Sequence, residues 1–158
     1  MKKTLIFCTF VLACCLLCPG CSRRKLPPAD LPKLWTCELD IRYEDDSPVS
    51  GALVVMNSSG KWFANGVTNS GGRAKMLTQG TWVGAASGEY TVTVRKRVVE
   101  EPPGAAQYDA NGNRMGPPSK VEDFVAEEYW EVDTTPLNVS VGSAPVKETL
   151  KVKKFEKK

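Results

Sequence analysis

Few residues in this chain are of a type and spacing that could do chemistry. Cys21 follows Gly20 directly within Leu16–Lys25 (LLCPGCSRRK), and it is either a structural thiol or a covalent handle. Histidine is absent from the whole chain. That absence removes the commonest general base, the usual catalytic triads and most zinc sites. Ser59 and Lys61 fall in a hairpin turn and lack the Ser-x-x-Lys spacing of a nucleophilic dyad. Asp109-Ala110-Asn111-Gly112-Asn113 has the composition of a calcium loop. Its glycine is fourth, however, where an EF-hand has it sixth, so the stretch reads as a turn. The tryptophans are at 35, 62, 82 and 130, and an aromatic face can stack on a pyranose. Trp35 has core parity in its strand, whereas Trp62 adjoins Phe63 and Trp82 sits among glycines. Trp62 and Trp82, with Tyr108, are the candidate ligand contacts. No cofactor motif is found, and no enzymatic activity is expected.

The residues before Cys21 decide between its two readings. Lys2 and Lys3 precede an uncharged apolar run, Thr4 to Leu17, and then Pro19-Gly20. Residues 1–20 therefore read as a secretory signal peptide, the run being short for a bilayer span. Cysteine after Gly20 resembles a bacterial lipobox, in which the sulfur is diacylated and the chain is cut before it. One departure is Cys18, where that pattern usually has leucine. Val11–Cys14 (VLAC) is a second such arrangement. Cys21 is favoured, because a cut before Cys14 leaves a very short apolar segment and keeps Cys15 and Cys18 in the mature chain. Five of the six cysteines lie within the first 21 residues, so a cut before Cys21 leaves only Cys21 and Cys37 and no disulfide framework. Each buried acyl methylene adds ~0.8 kcal/mol, so the two or three chains of a lipoprotein make a lasting anchor. By resemblance to lipoprotein sorting in enteric bacteria, Ser22 (rather than Asp) after the cysteine favours the outer membrane. The implied partner of acylated Cys21 is membrane lipid.

Without Lys2 and Lys3 the chain carries 19 basic and 18 acidic residues, a balance that gives no electrostatic case for nucleic acid. Residues 21–33 read as a tether, extended by Pro27, Pro28 and Pro32 and able to reach about 35 Å. Residues 34–158 read as one domain.

Within that domain, Trp35, Cys37, Leu39, Ile41 and Tyr43 alternate with polar residues over Leu34–Tyr43, the pattern of a half-buried strand. Cys37 accordingly reads as a small buried hydrophobe. Further strands are expected at Ala52–Asn57, Lys61–Thr68, Arg73–Thr78, around Tyr90–Val94 and Leu137–Val141, and at Leu150–Phe155. Gly80–Gly88 reads as a connection. Residues 99–118, rich in proline and glycine with no apolar period, read as a long loop. Ser119-x-x-Glu122 has the form of a capping box, and Val121, Phe124, Val125 and Tyr129 fall at helical spacing, predicting one short helix. The expectation is an all-β, seven- to eight-stranded sandwich of immunoglobulin-like character with that helix.

Three stretches extend this reading. They are Gly51-Ala52-x-Val54-Val55, Gly66-x-Thr68-Asn69-x-x-Gly72 and Gly88-x-Tyr90-x-Val92-x-Val94. In order and spacing they resemble the transthyretin-like, or carboxypeptidase-regulatory-like, β-sandwich domains of short lipoproteins from Planctomycetes and related bacteria. The resemblance covers about residues 34–152 and implies a transthyretin-like fold. That fold also hosts a hydrolase of the urate pathway, which needs histidines, an arginine and a C-terminal Tyr-Arg-Gly-Ser. This chain has no histidine and ends Lys154-Phe155-Glu156-Lys157-Lys158, which excludes that activity. The expected role is a lipid-anchored, non-catalytic structural or protein-interaction module of the cell envelope, with the loop 99–118 as the contact. The alternative is a carbohydrate- or peptidoglycan-binding module.

Overall fold

The computed structural model describes residues 26–101, 107–108, 110–112, 114–115 and 118–156. The chain divides into two compact units, Met1–Leu31 and Pro32–Lys158. Cys21 and the leader lie outside the described residues. In the first unit the Leu31 amide donates to the Pro28 carbonyl at 3.0 Å, so part of the tether read as extended is a turn. Among the described residues no helix is long and apolar enough to cross a membrane.

The second unit is all-β. In chain order its strands are β1 (Leu34–Trp35), β2 (Cys37–Tyr43), β3 (Leu53–Asn57), β4 (Ala64–Val67) and β5 (Arg73–Lys75). Next come β6 (Leu77–Thr78), β7 (Trp82–Val83), β8 (Ala85–Ala86), β9 (Gly88–Arg95) and β10 (Arg97–Glu100). The last are β11 (Gln107–Tyr108), β12 (Arg114–Met115), β13 (Lys120–Asp123), β14 (Asn138–Val141) and β15 (Val146–Val152). One sheet runs β14-β9-β3-β4-β6-β7 and another runs β15-β2-β5. In the smaller sheet β15 is parallel to β2, from Val146 opposite Cys37 to Val152 opposite Tyr43.

The alternation of β2 buries Cys37, Leu39, Ile41 and Tyr43, as its period of two requires. Leu39 and Ile41 share one core with Leu150 and Val152 of β15, and with Val54, Met56, Val92 and Val94 across in the larger sheet. Two sheets closing on a common core fit a β-sandwich. Each such side chain contributes roughly 1.5–3 kcal/mol by leaving water.

The expected strand over Arg73–Thr78 is split for a reason. Arg73–Lys75 pairs with β2, whereas Leu77 pairs with β4, so the chain changes sheets at Met76. The Met76 amide donates to the Cys37 carbonyl at 2.9 Å, and its carbonyl accepts from Gly84 at 2.8 Å. Ala85–Ala86, inside the expected Gly80–Gly88 connection, pairs with β1.

The turn before β5 shows why its residue types are needed. The buried Thr68 hydroxyl donates to the Val49 carbonyl at 2.6 Å and accepts from the Ala52 amide at 2.8 Å. The Asn69 Oδ1 accepts from the amides of Gly71 and Arg73 at 2.9 and 3.1 Å. Gly72 has φ 83°, and a Cβ there would lie 2.6 Å from the Ile41 carbonyl oxygen. Only glycine fits both conditions.

Two expectations are corrected. The Ser119-x-x-Glu122 stretch starts no helix: Lys120–Asp123 is β13, and the helical element near it is a single 3-10 turn, Glu127–Tyr129. The expected loop 99–118 takes in the end of β10, whose partner β13 lies beyond it, and the paired strands β11 and β12.

Candidate interaction surface

β10 and β13 form a two-stranded antiparallel ribbon that belongs to neither larger sheet. β9 leads into it through Lys96, whose carbonyl accepts from the Phe124 amide at 3.0 Å. Its rungs pair Arg97 with Asp123, Val98 with Glu122, Val99 with Val121 and Glu100 with Lys120. Val98, Val99 and Val121 are 40%, 51% and 50% exposed. Val99 and Val121 oppose each other on one face, whereas Val98 lies on the other.

The base of the ribbon is held by charge and aromatic contacts. Arg97 donates twice to Asp123, Nε to Oδ1 and Nη2 to Oδ2, each at 2.9 Å. The guanidinium carbons of Arg95 and Arg97 lie 4.7 and 5.7 Å from the Trp130 ring centre. Trp130 stacks on Phe155, with ring centres 6.1 Å apart and planes 13° apart, and its Nε1 donates to the Val125 carbonyl at 2.9 Å. Such cation–π geometry adds attraction beyond burial. The Arg97 hydrogen bonds hold the Asp123 carboxyl below its ordinary range. Higher on the ribbon, Ser119 donates to Glu101 at 2.8 Å.

The predicted contacts are not assembled into one site. Trp62 is half-buried, with Lys61 Nζ 4.8 Å from its ring centre. Trp82 is half-buried in β7. Thr78 pairs with both Ala64 and Trp82, and the Gln79 amide donates to the Phe63 carbonyl at 3.0 Å. Trp82 and the Trp62–Phe63 segment thus share one corner of the six-stranded sheet. Phe63 is the more exposed of the adjacent aromatics, at 43%. Tyr108 lies in β11, opposite Arg114. Trp130 was not singled out by the sequence, because its role rests on Arg95 and Phe155, distant along the chain.

A cleft of about 660 Å³ lies elsewhere, lined by residues including Tyr43, Asp45, Glu128, Lys153 and Lys154 but neither Trp62 nor Trp82. Its lysines are occupied: Lys154 pairs with Asp45 at 2.6 Å and Lys153 with Glu128 at 3.1 Å. Hydrogen bonds from Lys154 and Ser47 hold the Asp45 carboxyl well below the usual carboxylate range. Among the described residues no group of cysteine and carboxylate side chains could hold a metal ion. Asp109 and Asn113, of the calcium-like stretch, lie outside the described residues. Cys37 is 2% exposed, and burial, with Glu148 nearby, pushes its thiol up to about 11. A thiol so placed is a packing group.

No family model matches the chain, and no curated protein matches it. Among solved structures, a 9R-lipoxygenase from Cyanothece PCC8801 is similar over 80% of this chain and 18% of its own, with 14% identity and a TM-score of 0.32. A likeness that weak carries no argument about fold or activity.

Proposed function

We propose that this protein is a lipid-anchored, non-catalytic module of the cell envelope whose β10–β13 ribbon docks a protein partner. The observation that carries the reading is the exposure of Val98, Val99 and Val121 on a ribbon outside the main sheets. A two-stranded hairpin alone is marginal in water, and Val99 and Val121, opposed across the ribbon on one face, are exposed apolar neighbours of the kind found at interaction surfaces. The Arg97–Asp123 pair and the Trp130 stack brace the ribbon's base, so its valines are presented to solvent. Among the described residues no further strand pairs with the ribbon's outer edges, which suits addition of a partner strand. The anchor rests on the lipobox-like leader and Cys21. The finer fold reading is a transthyretin-like sandwich, supported by the Thr68–Gly72 turn. Adaptor roles of transthyretin-like lipoproteins in secretion machines offer an analogy of fold only.

Crosslinking in native envelopes, followed by recovery through a C-terminal tag, tests this. A stoichiometric protein should be captured, and Val99→Lys combined with Val121→Lys should lose it while keeping the wild-type melting curve. Retention of the partner by that folded variant would remove the ribbon from the interface. The second reading, a glycan-binding module, rests on the corner shared by Trp62 and Trp82, and recovery of glycan fragments without protein would favour it.

A further inference from the structure

Two asparagines in the chain precede glycine, Asn65–Gly66 and Asn111–Gly112. Such a pair has a reaction open to it without any enzyme. The glycine amide nitrogen attacks the asparagine Cγ, a C–N bond forms, and the side-chain nitrogen leaves as ammonia. Water then opens the resulting succinimide at either carbonyl. The products are aspartate and its backbone-shifted isomer, isoaspartate. Overall, amide and water become carboxylate and ammonium, with no oxidant or reductant. Glycine favours the attack because no Cβ shields its nitrogen and its backbone rotates freely.

The fold treats the two pairs differently. Asn65 is in the interior of β4, opposite Val55 of β3 on one side and Leu77 of β6 on the other. The two ladders hold its backbone extended, which keeps the Gly66 nitrogen from folding back on Cγ. The space is closed as well: a Cβ on Gly66 would lie 2.6 Å from the Lys75 carbonyl oxygen, and the Asn65 Oδ1 is buried. Asn111 is exposed, in the turn between β11 and β12. Gly112 has φ 81°, and among the described residues nothing lies within 4 Å of where its Cβ would be. Gly112 is exposed as well, so water reaches both residues of the pair.

We propose that Asn111 is a site of spontaneous deamidation and isoaspartate formation, and that Asn65 is protected by its sheet. The modification adds a negative charge to the turn, and isoaspartate lengthens the backbone there by one carbon.

The test is incubation of the purified full chain at mildly alkaline pH, followed by peptide mapping for amide-to-acid conversion and methyltransferase labelling of isoaspartate. Conversion at Asn111 should exceed that at Asn65 by more than about tenfold, equivalent to about 1.4 kcal/mol in barrier. Asn111→Gln should abolish the labelling. In denaturant the two sites should converge, because sequence alone then sets the rate. Equal rates in the folded chain would overturn the proposal, as would an Asn65 that stays slow in denaturant.

Discussion

Arg97 grips Asp123 across the first rung of the ribbon through two parallel hydrogen bonds, each of 2.9 Å. That fork ties the start of β10 to the end of β13. It also gives the ribbon a pH dependence. The folded Asp123 carboxyl titrates below its unfolded value because Arg97 bonds to its charged form. Its contribution is therefore present above an unfolded pKa of about 3.9 and is lost as pH falls through the lower folded value.

Asp123→Asn should release the ribbon without unfolding the core. Hydrogen exchange should quicken at Val98 and Glu122, the hydrogen-bonded pair that follows the Phe124 amide's bond to the Lys96 carbonyl, while amides of Leu39 and Val92 keep their protection. In the wild type the same ribbon amides should lose protection first on acidification. Uniform loss across the domain would contradict a ribbon held locally.

Gly51 and Gly72 both have positive φ, 71° and 83°, yet their surroundings differ. A Cβ at Gly51 meets nothing within 4 Å, whereas one at Gly72 lies 2.6 Å from the Ile41 oxygen. Gly51→Ala should cost about 1–2 kcal/mol, the ordinary penalty of left-handed backbone. Gly72→Ala should cost clearly more, because the clash adds to that penalty. Urea unfolding of both variants checks the order, and equal costs would refute it.

Cys37 should be silent to thiol reagents in the folded chain and reactive in urea. Its folded pKa, about 11 against an ordinary 9.0, is raised, so stability is full below the unfolded value and declines as pH rises toward 11. Cys37→Ala should remove that alkaline decline while lowering stability through the lost packing. An alkaline profile unchanged by the substitution would assign the decline to other groups.

The strands with one buried face were legible because burial imposes a period of two. Cys37, Leu39, Ile41 and Tyr43 alternate in sequence and point to one core. The motif Gly66-x-Thr68-Asn69-x-x-Gly72 was legible because turn chemistry is local. The ribbon was not. Val121, Phe124, Val125 and Tyr129 have helical spacing, but Ser119 bonds across to Glu101 and Lys120 pairs with Glu122 two residues away. A pair two residues apart on one side belongs to a strand, and its cross-strand partners lie beyond any local window. The parallel pairing of β15 with β2 likewise depends on residues more than a hundred positions apart. Trp62 and Trp82 were singled out by type, while Trp130 acquires its neighbours only when β9 and the C-terminal segment converge.

The most direct measurement places a photocrosslinking residue at Val99, on the ribbon, and separately at Val67, on β4. Val67 is the more exposed of the two, 62% against 51%, so accessibility alone favours it. A docking ribbon predicts a discrete protein adduct from Val99 in native envelopes and none from Val67. Adducts from Val67 alone, or none from either position, would contradict the ribbon as the partner surface.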